Sequence, residues 1–111
     1  MNLGSDFLGQ SSNGQSGTAY TFVLSDVGRV VEGNNGAAQS FTVPPVSIVA
    51  WPTGASFKVY QQGAGQITIA AGTGVILRSD GNRYKTAAQF AVIELRMRAN
   101  DEWVITGDAT A

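Results

Sequence analysis

From Tyr20 onward, apolar and polar residues alternate in short runs, each closed by Gly, Asn, Asp or Pro. That is the period of two that a half-buried strand imposes. Tyr20, Phe22 and Leu24 fall on one face of a first predicted strand, with Thr21 and Val23 on the other. A second begins over residues 29–32. The GNNG stretch at 33–36 tolerates positive φ and predicts a reversal before a third strand at 40–43, which Pro44 and Pro45 end because neither can donate to a ladder. Further strands are predicted at 56–61 (Phe57 and Val59 on one face), 66–70 (Ile67, Ile69), 75–78 (Val75, Leu77) and 103–106, and Ser79-Asp80-Gly81-Asn82 reads as a hairpin turn.

Residues 87–98 fit two periods. Phe90, Ile93 and Met97 could share a helical stripe. As a strand, Ala91, Ile93, Leu95 and Met97 face one way and Glu94, Arg96 and Arg98 the other, a cleaner division that favours the extended reading. The expectation is an all-β fold: a compact antiparallel β-sandwich or small barrel of about seven or eight short strands over residues 19–111, with residues 1–18 as an extended N-terminal arm. In that arm Leu3, Phe7 and Leu8 are the anchors expected to lie on a neighbouring subunit or shell.

Composition narrows the chemistry. The 111 residues suit one domain. Charged residues make up 14% of the chain, seven Lys/Arg against eight Asp/Glu with no run of either sign. No basic patch offers itself to phosphates, so nucleic acid is not an expected partner. A weakly charged surface suits packing against other protein copies. Without cysteine or histidine there is no disulfide, thiolate site, Ser-His or Cys-His dyad, or common zinc ligand set. No apolar run approaches the roughly 20 residues of a membrane helix, and MNLGSDFLGQ has neither the basic start nor the apolar stretch of a signal peptide. Neither a membrane partner nor export is expected, and no cofactor is implied.

The glycines of GAGQITIAAGTGVILRSDGN (63–82) raise the question of a phosphate loop. Gly63-Ala64-Gly65 and Gly72-Thr73-Gly74 both lack the third glycine of G-x-G-x-x-G and the Lys-Ser/Thr of a P-loop, and both lead into β-branched strands rather than a helix. They read as tight turns whose backbone angles glycine alone adopts without strain.

The succession Ser25-Asp26-Val27-Gly28-Arg29-Val30-Val31-Glu32, Phe41-Thr42-Val43-Pro44, Pro52-Thr53-Gly54, Gly63-Ala64-Gly65-Gln66-Ile67-Thr68-Ile69, Gly74-Val75-Ile76-Leu77-Arg78-Ser79 and Trp103-Val104-Ile105-Thr106-Gly107-Asp108 resembles a small β module of tailed-bacteriophage virion proteins, found in tail-fibre and capsid-associated chains. The resemblance implies a fold and a virion setting, with assembly in the host cytoplasm, more than an activity. Its motifs are structural.

Individual residues carry competing readings. Asp26 and Glu32 could form an acid/base pair, but an Asp before a glycine more often accepts hydrogen bonds from its own turn. Glu32, Asn34 and Asn35, or Asp80 and Asn82, lack the spacing of a calcium loop. Asp101 and Glu102 read as a solvated turn. Trp103 opens an alternating strand and belongs in the core, whereas Trp51, next to Pro52, is placed either in the core or in contact with another chain or a sugar ring. Glu94, Arg96 and Arg98 make either a charged edge that discourages aggregation or a salt-bridged subunit contact. The resulting expectation is a non-enzymatic capsid decoration or cement protein that binds the major capsid protein as a homotrimer. The alternative is a tail-fibre, spike or baseplate module binding host-surface glycan, with Trp51, Tyr60, Gln61, Gln62 and Tyr84 in a groove, or contacting other virion proteins.

Overall fold

The computed structural model describes residues 11–111. The fold is all-β and holds two mixed sheets packed face to face. In chain order the strands are β1 (Ser12–Gln15), β2 (Ala19–Thr21), β3 (Val30–Gly33), β4 (Gln39–Val43), β5 (Ser56–Gln61), β6 (Ile67–Ala71), β7 (Ile76–Arg78), β8 (Lys85–Thr86), β9 (Val92–Ala99), β10 (Glu102–Gly107) and β11 (Ala109–Thr110), with a 3-10 turn at Leu24–Asp26. One sheet runs β1-β3-β5-β9-β10-β7, the other β11-β8-β6-β4-β2.

From β1 to β6 the chain changes sheet at every strand. The pairs β1/β3 and β3/β5 in one sheet, and β2/β4 and β4/β6 in the other, are therefore parallel. Antiparallel pairing enters with β5/β9, with the β9–β10 hairpin, whose loop residue Asp101 takes φ 57, and with β6/β8 and β8/β11. The architecture is thus mixed where an antiparallel sandwich was expected, and it holds more and shorter strands. Turn chemistry explains the difference: it marks where the chain reverses, not which strand it next pairs with. The reversal at 33–36 joins β3 and β4 across the sandwich, and the Ser79–Asn82 turn (Asn82 N–H to Ser79 O, 3.1 Å) links β7 and β8 of opposite sheets, so neither makes a hairpin.

The core lies between the sheets. Phe57, Val59, Ile93, Leu95, Met97, Trp103 and Ile105 come from one, and Phe22, Phe41, Val43, Ile67 and Ile69 from the other side. Aromatic rings form its centre: Trp51 meets Trp103 edge-on at 5.2 Å, and Phe22 packs on Phe57 at 4.5 Å. Residues 92–99 are a strand with Ile93, Leu95 and Met97 buried, as is Ala91 just before it, in line with the alternation. Leu24 departs from its predicted face: the 3-10 turn carries it outward to 49% exposure.

One boundary moves. Residues 12–15 of the expected arm are β1, hydrogen-bonded to β3, so the folded body includes them. Leu3, Phe7 and Leu8 lie outside the described residues. The glycines 63, 65 and 72 do not take positive φ. A Cβ on Gly65 would sit 1.8 Å from the Ala37 carbonyl oxygen, and one on Gly63 2.6 Å from the Asn35 backbone. Adjacent passes of the chain approach too closely there for any side chain, and only Gly74 and Gly81 in this stretch meet the predicted demand on φ.

Candidate functional site

The outer face of the six-stranded sheet gathers the predicted contact residues. Because side chains alternate, β9 sends Val92, Glu94, Arg96 and Arg98 outward, and all four are exposed. Glu94 is flanked in register by Lys58 of β5 and Thr106 of β10; Arg96 by Ser56 and Val104; Val92 by Tyr60. At one end Glu102 accepts from Arg98 Nη1 at 2.8 Å and Arg78 Nε at 3.3 Å, an exposed bridge worth little alone but fixing both guanidinium groups. Ile76 and Val92 expose apolar surface on the same sheet, 48% and 39% respectively. Among the described residues no ion pair engages Glu94 or Arg96. A broad face mixing free charges, tyrosine, arginine and aliphatic groups has the composition of a protein interface.

Trp51 does not belong to it. It is 4% exposed and donates its indole N–H to the Pro44 carbonyl at 3.0 Å, which satisfies the ring's one polar group inside the core. The residues named for a glycan groove also scatter. Gln61 is 2% exposed and hydrogen-bonded to Thr86, Gly63 and Ala64, Tyr60 lies on the outer sheet face, and the Tyr84 hydroxyl donates to Leu77 O at 3.0 Å.

The possible catalytic and metal-binding carboxylates serve the fold. Asp26 is wholly buried and accepts from Tyr20 OH (2.6 Å), Asn13 Nδ2 (2.9 Å) and Val23 N–H (3.0 Å). Burial first, then the hydrogen bond and charge of Asp26, push the Tyr20 hydroxyl up to about 12. Glu32 is on the outer sheet face and accepts from Ser12 Oγ at 2.8 Å, so the two carboxylates answer to different neighbours. The side-chain oxygen of Asn35 accepts from Ala37 N–H, and that of Asn82 lies 3.2 Å from the Tyr84 hydroxyl, competing with Leu77 O for its one proton. Asp101 does more than turn the chain, since it accepts from Val46 N–H at 2.7 Å and ties the loop after β4 to the β9–β10 hairpin. Among the described residues no group of three or more His, Cys, Asp or Glu is placed to hold a metal.

A second surface lies at the end of β9. Phe90 is 63% exposed beside Arg83, Gln89 and Asp108, in a shallow depression of about 440 Å³. Counting it in a helical stripe hid it. Phe90 instead sits in the turn ahead of β9, at φ 75, while Ala91, Ile93, Leu95 and Met97 turn inward.

A scan against protein-family models finds no match, and a search of curated proteins finds none.

Proposed function

We propose that this chain is a non-enzymatic structural protein of a tailed-bacteriophage virion, a decoration or cement protein that binds the outer shell as a homotrimer. The observation that carries the reading is the outer face of the six-stranded sheet. Glu94 and Arg96 stand there without ion-pair partners among the described residues, amid Lys58, Tyr60, Val92 and Ile76, on a β-sheet platform. Charges left free on such a face set register and orientation against a partner, and the aliphatic groups supply area to bury. The expected partners are the major capsid protein and further copies of the chain, and residues Leu3, Phe7 and Leu8 add a second attachment.

Arg96→Glu combined with Arg98→Glu tests the face. The variant should stay folded, since both side chains are exposed, and lose binding to bare shells in a sedimentation assay. Binding equal to wild type would refute the assignment, as would labelling that places the protein at the tail tip of purified particles. Removal of residues 1–10 tests the attachment separately. The cut must stop before Ser11, because β1 begins at Ser12 and its Asn13 belongs to the Asp26 network.

A further inference from the structure

Phe90 is costly to the fold in two ways. It sits in a turn closed by Ala91 N–H to Ala88 O at 3.1 Å, with φ 75, and its own N–H donates to Gln61 O at 2.6 Å. The other non-glycine residues at positive φ among those described are Asn82 and Asp101, types that tolerate the left-handed region. A phenylalanine there is strained. Its ring is also left in water: 63% exposed and outside the aromatic cluster of the core. Glycine would relieve both burdens. An aromatic held in this way is accounted for by something outside the chain.

We propose that the Phe90 depression is a saccharide-binding site for a neutral pyranose. Apart from Phe90, Arg83, Gln89 and Asp108, the residues that line it are small: Ala87, Ala88, Ala91, Gly107 and Ala109. Phe90 supplies an apolar ring for the C–H face of a sugar. Gln89 Nε2 is held by the Gln62 carbonyl at 3.0 Å, which leaves its amide oxygen to accept. Arg83 and Asp108 have no ion-pair partner among the described residues, and both line the depression. One cation, one anion and one amide make a site of no net charge. That disfavours phosphates and ammonium groups and matches vicinal hydroxyls, which both donate and accept. A second depression of about 380 Å³, lined by Ser79, Asp80 and Thr106, shares Arg83, Gly107 and Ala109 with the first, so an oligosaccharide could extend across Arg83. The Phe90 depression shares no lining residue with the charged sheet face, although the second depression reaches that face at Val104 and Thr106, and the proposal does not depend on the shell-binding reading.

The test is a ¹H–¹⁵N NMR titration of the full chain with maltotriose, cellotriose, chitotriose and methyl galactoside, with sialyllactose as the acidic comparison. At least one neutral sugar should shift the amides of Gln89, Phe90, Ala91 and Asp108. Phe90→Gly should weaken that binding roughly tenfold or more while raising the melting temperature, a combination that general damage cannot produce. Phe90→Trp should keep it. The proposal is overturned if none of the sugars moves these amides, if Phe90→Gly binds as wild type does, or if sialyllactose alone binds. It is also overturned if sedimentation shows the chain self-associating through Phe90, which would make the patch a contact between copies.

Discussion

Asp26→Ala should be among the most damaging single substitutions outside the aromatic core. The wild-type carboxylate is fully buried and accepts from three donors on three segments: Asn13 of β1, Tyr20 of β2 and the Val23 backbone ahead of the 3-10 turn. Alanine orphans all three. A buried donor without a partner costs about 1–3 kcal/mol, more against a charged acceptor. Asn13 retains its bond to the Tyr20 hydroxyl oxygen, and Tyr20 is only half-buried, so water compensates part of the loss. The net destabilisation should be about 3 kcal/mol, a large share of the roughly 5–15 kcal/mol that holds a domain folded. Urea unfolding followed by fluorescence of Trp51 and Trp103 reads it directly. With a slope of about 1.5 kcal/mol per molar, the midpoint should fall by about 2 M. Asp26→Asn, which keeps an acceptor, should cost about half as much. A loss below about 1 kcal/mol for alanine, or equal losses for both variants, would show that the network is not what holds β1 and β2 to the body.

Thr86→Val should cost about 2 kcal/mol, since it orphans the buried Ile67 N–H (3.0 Å to Thr86 Oγ1) and removes the hydroxyl that donates to Gln61; Thr86→Ser should recover most of it in the same unfolding assay. Gly65→Ala should lose about 3 kcal/mol or more because its Cβ would stand 1.8 Å from Ala37 O, whereas Gly74→Ala, with φ 81 and no atom within 4 Å, should lose only the strain of about 1 kcal/mol. Comparable thermal shifts for the two glycines would contradict that division. Tyr20, raised to about 12, stays protonated in the fold after it ionises in the unfolded chain. Its contribution is full below about pH 10 and declines as pH rises toward 12, by about 1 kcal/mol after solvent screening. Tyr20→Phe should remove that part of the alkaline slope, and an unchanged slope would count against it.

The all-β class and the buried faces of β5, β6, β9 and β10 were legible because alternation reports directly on which side chains meet the core. Phe57/Val59, Ile67/Ile69 and Ile93/Leu95/Met97 are buried as their phase required. Pairing was not legible. Whether the strand after GNNG returns to its own sheet or crosses to the other depends on contacts 18 to 28 residues away, as in Ser12 with Val30 and Val30 with Lys58, and no local residue encodes them. The glycine pairs were recognised as structural but for the wrong reason at 63, 65 and 72, because close approach between distant segments leaves no mark in the flanking sequence. Glu94, Arg96 and Arg98 shared a face as read. Trp51 was the ambiguous case: its neighbours Ala50 and Pro52 have a loop's composition, yet its indole found a carbonyl inside.

The alternation of β1 to β6 between the sheets bears on how the molecule can change length. Ser12 and Val30 pair after 18 residues, Val30 and Lys58 after 28, and both lie in the same continuous ladder. Most of the ten-residue difference lies in the connections, and register is untouched. A single residue inserted within β3 or β5 would exchange inward Val31 or Val59 with an outward neighbour, whereas a whole additional circuit would add one strand to each layer and leave every existing pair in place. Length in this protein is therefore quantised: variation is cheap in complete circuits and in the connections at their ends, and ruinous anywhere between.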